Sequence, residues 1–299
     1  MRVAGAVDIG GTRTKIGVVA EDGCILERDI VSTPARGDPK PLVDGIAVRL
    51  AAVFARAAKD VQVAGIGVSV AGFLDRDRAC MFGNANLPSL CGFPLRRALE
   101  QRLGRPCVLE VDSNAAVLAE YRYGGGRDSK RLLGVTVGTG LGGGVMLDGL
   151  LLRHTGECAG DLGHVLVAEG GRRCTCGENG CLEAMVSSAA LSERAAGKPV
   201  REITRAAQAG SPRALEAIAE TARWLGVGLA SLAPLFAPDT IVVGGGVAAA
   251  GDLLLDGVRT SFRAHAGDEF RDSVRIVGSS LEGWGGLVGA ASIVFAPQT

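Results

Sequence analysis

The sequence predicts an α/β fold built twice over. Two stretches, one opening at Val3 and one at Leu132, share one plan: an apolar strand, a turn containing glycine and threonine, a second apolar strand, then an Asp-Gly turn and a third strand. Helical periodicity and further apolar strands accompany both meanders. At 299 residues and 47% hydrophobic content the chain has enough apolar surface for one large or two medium cores.

In order, Val3–Ile9 is extended, Gly10-Gly11-Thr12 turns the chain, Thr14–Ala20 returns, and Cys24–Val31 follows the turn at Asp22-Gly23. Leu42, Ile46, Leu50, Val53, Phe54 and Ala57 recur at helical spacing and predict a helix from Pro41 to Lys59. Val61–Val70 reads as a fully buried strand. Leu95, Leu99 and Leu103 mark a short helix between Pro94 and Gly104. Val108–Val111 is a strand that runs into a helix from Asn114 to Tyr123. Gly124-Gly125-Gly126 is the predicted hinge. The second meander is Leu132–Val137, Gly143–Leu147 and Leu150–Arg153. From Ser187 the chain reads as mostly helical, with Ser211-Pro212 as N-cap and first helical residue. Ile241–Val243 is a buried strand, and Gly286–Val294 a final apolar helix. The expected domains are a small one, 1–123, with the carboxy-terminal helix of about 286–299 packed back on it, and a large one, 124–285. Two meander-plus-helix halves round one cleft predict an actin-like phosphotransferase architecture.

Thirty-two basic and 32 acidic side chains leave no formal net charge, and no basic run stands out, which disfavours nucleic-acid and membrane-surface partners. The first apolar run is broken by Asp8, too short for a signal peptide. The longest one, near Leu225–Ala237, is too short to span a bilayer. A cytoplasmic, reducing location is expected, with no disulfide framework among the eight cysteines. Cys24, Cys80, Cys91, Cys107 and Cys158 are scattered and expected as small buried apolar residues.

The other three thiols lie within eight residues, Cys174-Thr175-Cys176-Gly177-Glu178-Asn179-Gly180-Cys181, with His164 ten residues upstream. That donor set suits a closed tetrahedral zinc site. Glu183 follows at once, so the metal is expected to brace a substrate-binding carboxylate. Three glycine turns each follow an apolar strand. Gly10-Gly11-Thr12 follows Asp8, which could orient Mg²⁺ through water; an ordinary hairpin with a capping Asp is the competing reading. Gly138-Thr139-Gly140-Leu141-Gly142-Gly143 contains G-x-G-x-x-G, but a strand rather than a helix follows, so a dinucleotide fold is rejected in favour of a phosphate-cradling hairpin. Gly244-Gly245-Gly246 suits close approach of a base or ribose. Asp112, between strand and helix, can serve as a general base toward a substrate hydroxyl or as a helix cap.

Asp8-Ile9-Gly10-Gly11-Thr12, Gly138-Thr139-Gly140-x-Gly142-Gly143-Gly144, Gly160-x-x-Gly163-His164, the Cys-x-Cys-Gly-x-x-Gly-Cys-x-Glu knot and the closing Gly285–Ala291 together resemble the ROK family (repressors, open reading frames and sugar kinases) from end to end. The resemblance implies an actin-like, ribonuclease H-like fold with a structural zinc site. It also implies ATP-dependent phosphorylation of a hexose at the 6-hydroxyl, with Mg²⁺. By position, Asp112 matches the catalytic base. Asp8, Gly10, Gly11 and Thr12 match the first phosphate loop; Gly138, Thr139, Gly140 and Gly142 the second; Gly244, Gly245 and Gly246 the adenosine loop. His164, Cys174, Cys176 and Cys181 match the zinc ligands. Gly72, Asn86, Asp161, His164 and Glu183 match the sugar pocket. His164 is implied to bind zinc through one ring nitrogen and face the sugar with the other. A homodimer is what the family suggests.

Two departures bear on the acceptor. The family's glucokinases usually carry Asn-Asp where this chain has Val111-Asp112, and Glu-x-Gly-His where it has Asp161-Leu162-Gly163-His164. The missing Asn removes an amide donor near C3 or C4 of the sugar. A protonated amine brings three donors and no acceptor, so Val111 fits an amino sugar, with Asp161 and Glu183 to balance its charge. Kanosamine (3-amino-3-deoxyglucose) is the specific expectation, with glucose beside it. A ROK-type regulator is disfavoured, because the first phosphate loop begins at Asp8 and leaves no room ahead for a DNA-binding module. A nonenzymatic sugar-binding or zinc-scaffold protein is disfavoured by retention of Asp8, Asp112 and all three glycine turns.

Overall fold

The computed structural model describes residues 1–57, 60–82, 86–153, 161–281 and 283–295. Lys59, Cys158, Gly160 and positions 296–299, each part of an expectation above, lie outside them. The chain forms two compact units; Met1–Tyr123, Arg153 and the chain from Trp284 belong to the first, and Gly124–Leu152 and Asp161–Gly283 to the second.

The first unit opens with β1 (Arg2–Ile9), β2 (Arg13–Ala20) and β3 (Ile25–Ser32), an antiparallel meander. Helix α1 (Lys40–Arg56) leads to β4 (Gln62–Val70), and a small hairpin of β5 (Phe73–Leu74) and β6 (Met81–Phe82) follows. Then come α2 (Leu95–Leu103), β7 (Cys107–Val111) and α3 (Asp112–Tyr123). Gly104 ends α2 in the left-handed region, the usual glycine stop. The sheet order is β3-β2-β1-β4-β7, with β1, β4 and β7 parallel. β1 and β4 read as near-continuous apolar runs because parallel central strands are covered on both faces. One face packs Leu42, Ile46, Leu50 and Val53 of α1 with Leu95 and Leu99 of α2.

The second unit repeats the plan: β8 (Arg131–Val137), β9 (Leu141–Leu147) and a two-residue β10 (Leu150–Leu151), shorter than expected. Helices α4 (Leu182–Val186), α5 (Ser188–Arg194), α6 (Val200–Gln208) and α7 (Pro212–Phe236) precede β11 (Thr240–Gly244). Helices α8 (Asp252–His265) and α9 (Asp268–Arg271) then lead to β12 (Arg275–Gly278). The sheet order β10-β9-β8-β11-β12 is that of the first unit, strand for strand, so the repeat read from the turns is a repeat of topology. Ser211 precedes Pro212 as expected, but its side chain makes no capping hydrogen bond. No helix among the described residues is long and apolar enough to cross a membrane.

Two local expectations are corrected. Gly142, Gly143 and Gly144 lie within β9, paired with Thr136, Val135 and Gly134, so the turn is only Gly138-Thr139-Gly140. Gly143 serves close packing: a Cβ there would come within 2.6 Å of Leu162. Cys107 is buried, but Cys24, beside the β2–β3 turn, and Cys91, after a 3₁₀ turn, are exposed, and Cys80 is intermediate.

Helix α10 (Gly285–Phe295) returns to the first unit and covers its other sheet face with Leu287, Ala290 and Ala291 against Ala4, Ala6 and Val19. The approach is glycine-tight: a Cβ on Gly67 of β4 would overlap the carbonyl of Ala290, and one on Gly289 that of Ala115. Backbone cannot yield as a flexible side chain can. Gly67→Ala and Gly289→Ala should therefore each lower unfolding stability by about 3 kcal/mol, the upper end for overpacking, in urea titrations, whereas Gly45→Ala, where a Cβ meets nothing within 4 Å, should not.

Candidate functional site

Parallel register aligns three strand ends in the first unit, for Ile9 pairs with Val70 and Val70 with Val111. Each is followed by a chemically distinctive residue or turn: Gly10-Gly11-Thr12, Ala71-Gly72, and Asp112. The carboxyl edge of parallel strands is where α/β sheets present ligand-binding loops. Gly10 N–H donates to the Arg13 carbonyl (3.1 Å) and closes the first turn. A Cβ on Gly11 would lie 3.0 Å from that of Asn86, which puts Asn86 beside this turn. Gly72 has φ +122°.

Asp8 is held on both carboxylate oxygens. Ser69 Oγ donates to one (2.7 Å) and Lys15 Nζ to the other (3.1 Å). Asp112 is half-buried and opens α3, but its carboxylate accepts from the N–H of the adjacent Ser113 (2.8 Å) rather than from the residues two or three ahead that an N-cap serves. Burial first, and then the charge of Asp8, push Asp112 up to about 7, against the pull of the backbone N–H groups and Lys15.

A second carboxylate lies two residues earlier. Glu110 is 2% exposed and forms ion pairs with Arg153 (2.9 Å) and Arg78 (3.1 Å), while Asn114 Nδ2 donates to it (3.2 Å). A charge this buried persists only when paired, and the two guanidiniums tie the segments bearing Arg78 and Arg153 to the strand that ends at Asp112.

In the second unit, β8 and β11 run parallel and end in Gly138-Thr139-Gly140 and Gly244-Gly245-Gly246. Val247 N–H donates to the Val137 carbonyl (3.0 Å), and Gly245, at φ +90°, passes so close to Val137 that a Cβ would collide with its backbone. The two turns are thus neighbours. Ser188 N–H, at the start of α5, holds the Gly138 carbonyl (2.7 Å).

His164, Cys174, Cys176 and Cys181 bring their ligand atoms within 4.8 Å of one another. Cys174 Sγ lies 3.5 Å from His164 Nδ1, and Cys176 Sγ lies 3.6 Å from Cys181 Sγ. Tetrahedral zinc with its usual bond lengths separates sulfur from sulfur by about 3.8 Å and sulfur from nitrogen by about 3.5 Å. The donor set fits structural zinc in number, chemistry and spacing. Burial, then hydrogen bonds with Cys176 and Cys174, push the Cys181 thiol up to about 12; a bound dication reverses that preference and holds the sulfurs as thiolates. His164 Nε2 points the other way, 3.6 Å from Asp161 Oδ2. Burial raises Asp161 above the usual carboxylate range, His164 opposes the shift, and the charge of Glu183 adds to it.

Glu183 joins the metal loop to the glycine turn. One oxygen accepts from Leu141 N–H (2.9 Å), the other from Thr175 Oγ1 (2.9 Å). A Cβ on Gly140 would overlap the first oxygen, so glycine is needed there to admit the carboxylate.

Residues 4–296 match the ROK family. The chain belongs to the ROK family. It is 37% identical over 315 residues to a glucokinase from Streptomyces coelicolor, with 98% of this chain and 97% of that one covered. It is 35% identical over 247 residues to an N-acetylmannosamine kinase from Escherichia coli, covering 81% and 82%. Among solved structures, a ROK glucokinase from Streptomyces griseus in complex with glucose and AMPPNP superposes with a TM-score of 0.83 at 37% identity, covering 97% and 98%.

Sequence reading missed Lys15, Ser69, Glu110 with its two arginines, and Thr175 in this ROK chain. Two left a signal. Lys15 faces Asp8 by hairpin counting across the turn, and Glu110 is a lone charge in an apolar strand. Arg78 and Arg153 are distant in sequence, and nothing local marks them.

Metal analysis of the purified protein should find about one zinc per chain. Cys181→Ser, which removes a buried ligand, should abolish stoichiometric zinc and lower the melting temperature. Cys91→Ser should change neither.

Proposed function

We propose that this ROK carbohydrate kinase transfers the γ-phosphoryl group of ATP to the 6-hydroxyl of a hexose, with Asp112 as general base. The supporting observation is a carboxylate at the end of a parallel strand, raised to about 7 and beside a second carboxylate and a glycine turn. A base with a pKa near the working pH is the effective choice for proton abstraction. Asp112 takes the hydroxyl proton as the oxygen–phosphorus bond forms; the bond from the γ-phosphorus to the β–γ bridging oxygen breaks, and ADP leaves. Gly10–Thr12 and Gly138–Gly140 supply backbone N–H groups to the phosphates, and Gly244–Gly246 admits the adenosine. Asp8 would help hold the Mg²⁺ that accompanies ATP, which would supply charge stabilisation to the phosphates. Asp161, His164, Glu183, Gly72 and Asn86 hold the sugar. His164, Cys174, Cys176 and Cys181 would hold zinc, with His164 Nε2 left for Asp161 and the sugar.

The relatives' names support glucose and an amino-sugar derivative as acceptor classes. The chain's own residues favour an amino sugar. Val111, half-buried next to Asp112, has its N–H on the Glu110 carboxylate and a side chain with no donor to set against an ammonium. Glu110 does not supply the balancing negative charge, because Arg78 and Arg153 take it up; Asp161 and Glu183 remain for that role. Kanosamine is the specific acceptor proposed.

For the base, kcat/KM should fall about tenfold per pH unit below about pH 7, because only the ionised carboxylate accepts the proton. The same shift has a stability sign. Folding favours the protonated form, so ionisation of Asp112 costs stability as pH rises from its ordinary 3.8 through about 7. Asp112→Asn should therefore abolish turnover yet melt no lower than wild type at pH 8. A variant that keeps its activity would remove Asp112 from the mechanism.

For the acceptor, ADP release measured across hexoses and amino sugars should give a higher kcat/KM for kanosamine than for glucose, and Val111→Asn should narrow the difference. Equal or better use of glucose by the wild type would return the chain to plain glucokinase.

A further inference from the structure

We propose that Glu110 is a positioning residue of this kinase: its carboxylate grips the chain on both sides of Asp112 and so fixes where the base stands. The inference rests on the reading of Asp112 as general base. Asp112 opens α3 directly after β7, and its carboxylate accepts from the N–H of Ser113 (2.8 Å). A bond to the next residue travels with the backbone and does not by itself fix where the side chain stands. The place of the carboxylate therefore depends on the strand–helix junction. β7 is the edge strand of its sheet, so strand pairing supports that junction from one side only. Glu110 supplies further support. Its Oε1 accepts from Val111 N–H (3.1 Å) and from Asn114 Nδ2 (3.2 Å), one residue before Asp112 and two after it. Its Oε2 accepts from Arg153 Nε (2.9 Å) and from Arg78 (3.1 Å). One oxygen clasps the junction while two guanidiniums anchor the other.

Two local costs accompany these bonds. Arg78 is a non-glycine residue in the left-handed region, at φ +48°, between β5 and β6. Asn114 is 6% exposed, and its Oδ1 is buried with no hydrogen-bond partner among the described residues. A carboxylate in ion pairs offers only acceptors, so the amide must give Glu110 its nitrogen and leave the oxygen unmatched. A side chain kept at 114 for packing alone is better served by an apolar group of the same shape. The donor that Asn114 gives to Glu110 is what the amide adds, and the residue it helps to fix is the base. Precision matters there, because a reacting group displaced by about 1 Å can lose about 100-fold in rate.

The test is steady-state kinetics of wild type, Glu110→Gln, Asn114→Leu and Asp112→Asn, with glucose and with kanosamine as acceptor, alongside thermal melting. Glutamine keeps the shape of the side chain but sets an amide group against two of the four donors. Leucine keeps the shape of asparagine and removes the donor together with the unmatched oxygen, so Asn114→Leu should melt within about 3 °C of wild type. Glu110→Gln should lower kcat about 100-fold and Asn114→Leu about tenfold. KM for sugar and for ATP should stay within about threefold of wild type, the split expected when only the transition state loses an interaction. Wild-type kcat in both variants overturns the proposal. So does a loss carried by raised KM for both substrates at unchanged kcat, which marks a disturbed pocket rather than a misplaced base. If Glu110→Gln does not fold, Asn114→Leu decides alone. An active Asp112→Asn overturns the base reading and this inference with it. That result is distinct from an inactive Asp112→Asn beside fully active Glu110→Gln and Asn114→Leu, which overturns the positioning role alone.

Discussion

Parallel pairing carries the side chains of this protein to the places where they can act. A parallel strand cannot return by a tight turn, so the chain leaves each carboxyl end to make a crossover, and the residues after several strands collect along one edge. In the first unit the register Ile9–Val70–Val111 lines up the first glycine turn, Gly72 and Asp112. In the second, the pairing of Gly244 with Thr136 does the same for two glycine turns. Both sheets need cover on two faces to keep that register. In the first unit α10 supplies part of it and comes close enough only because Gly67 and Gly289 lack side chains.

Much of this was legible because it is local. A strand, a glycine turn and a returning strand are contiguous in sequence, so both meanders could be read, and with them the repeat. The metal loop was legible for the same reason, since three thiols within eight residues form a donor set that few roles besides metal binding require. What escaped notice joins distant segments. The Glu110 cluster unites positions 78, 110, 114 and 153, and only the folded chain shows that a strand glutamate has two arginines. The glycine run 138–144 was misread in part for a related reason. Glycine marks turns and also close approach, and which of these holds at Gly143 depends on Leu162, some twenty residues away. Exposure of Cys24 and Cys91 follows from where turns fall rather than from residue type.

The electrostatics around Asp112 illustrate a trade between stability and chemistry. Burial first, and then the charge of Asp8, make this strand end a poor place to keep a second carboxylate ionised, and that cost raises its proton affinity toward neutrality. Glu110, only two residues away, is not treated the same way: two guanidiniums pair with it. Asp112, just past the end of β7, is left under-compensated, while Glu110 within that strand is paired. Ser113 N–H and Lys15 keep the shift from going further, which suits Asp112 to the proposed role of general base near neutral pH.

The zinc knot acts at a distance through two side chains. A zinc held there would take up His164 on its Nδ1 side and leave Nε2 toward Asp161. Held by Cys174 and Cys176 on either side of Thr175, it would order the hydroxyl that holds Glu183, and Glu183 in turn holds Leu141 N–H at the end of the Gly138–Gly140 turn. The proposed sugar carboxylate and the proposed phosphate turn would then be braced by one metal loop. Each carboxylate oxygen of Glu183 can accept more than one hydrogen bond, so bracing the turn does not prevent it from binding a sugar hydroxyl. Loss of the metal should therefore disturb both substrates' sites together, which is why a kinase whose chemistry needs no zinc would keep four residues to bind it.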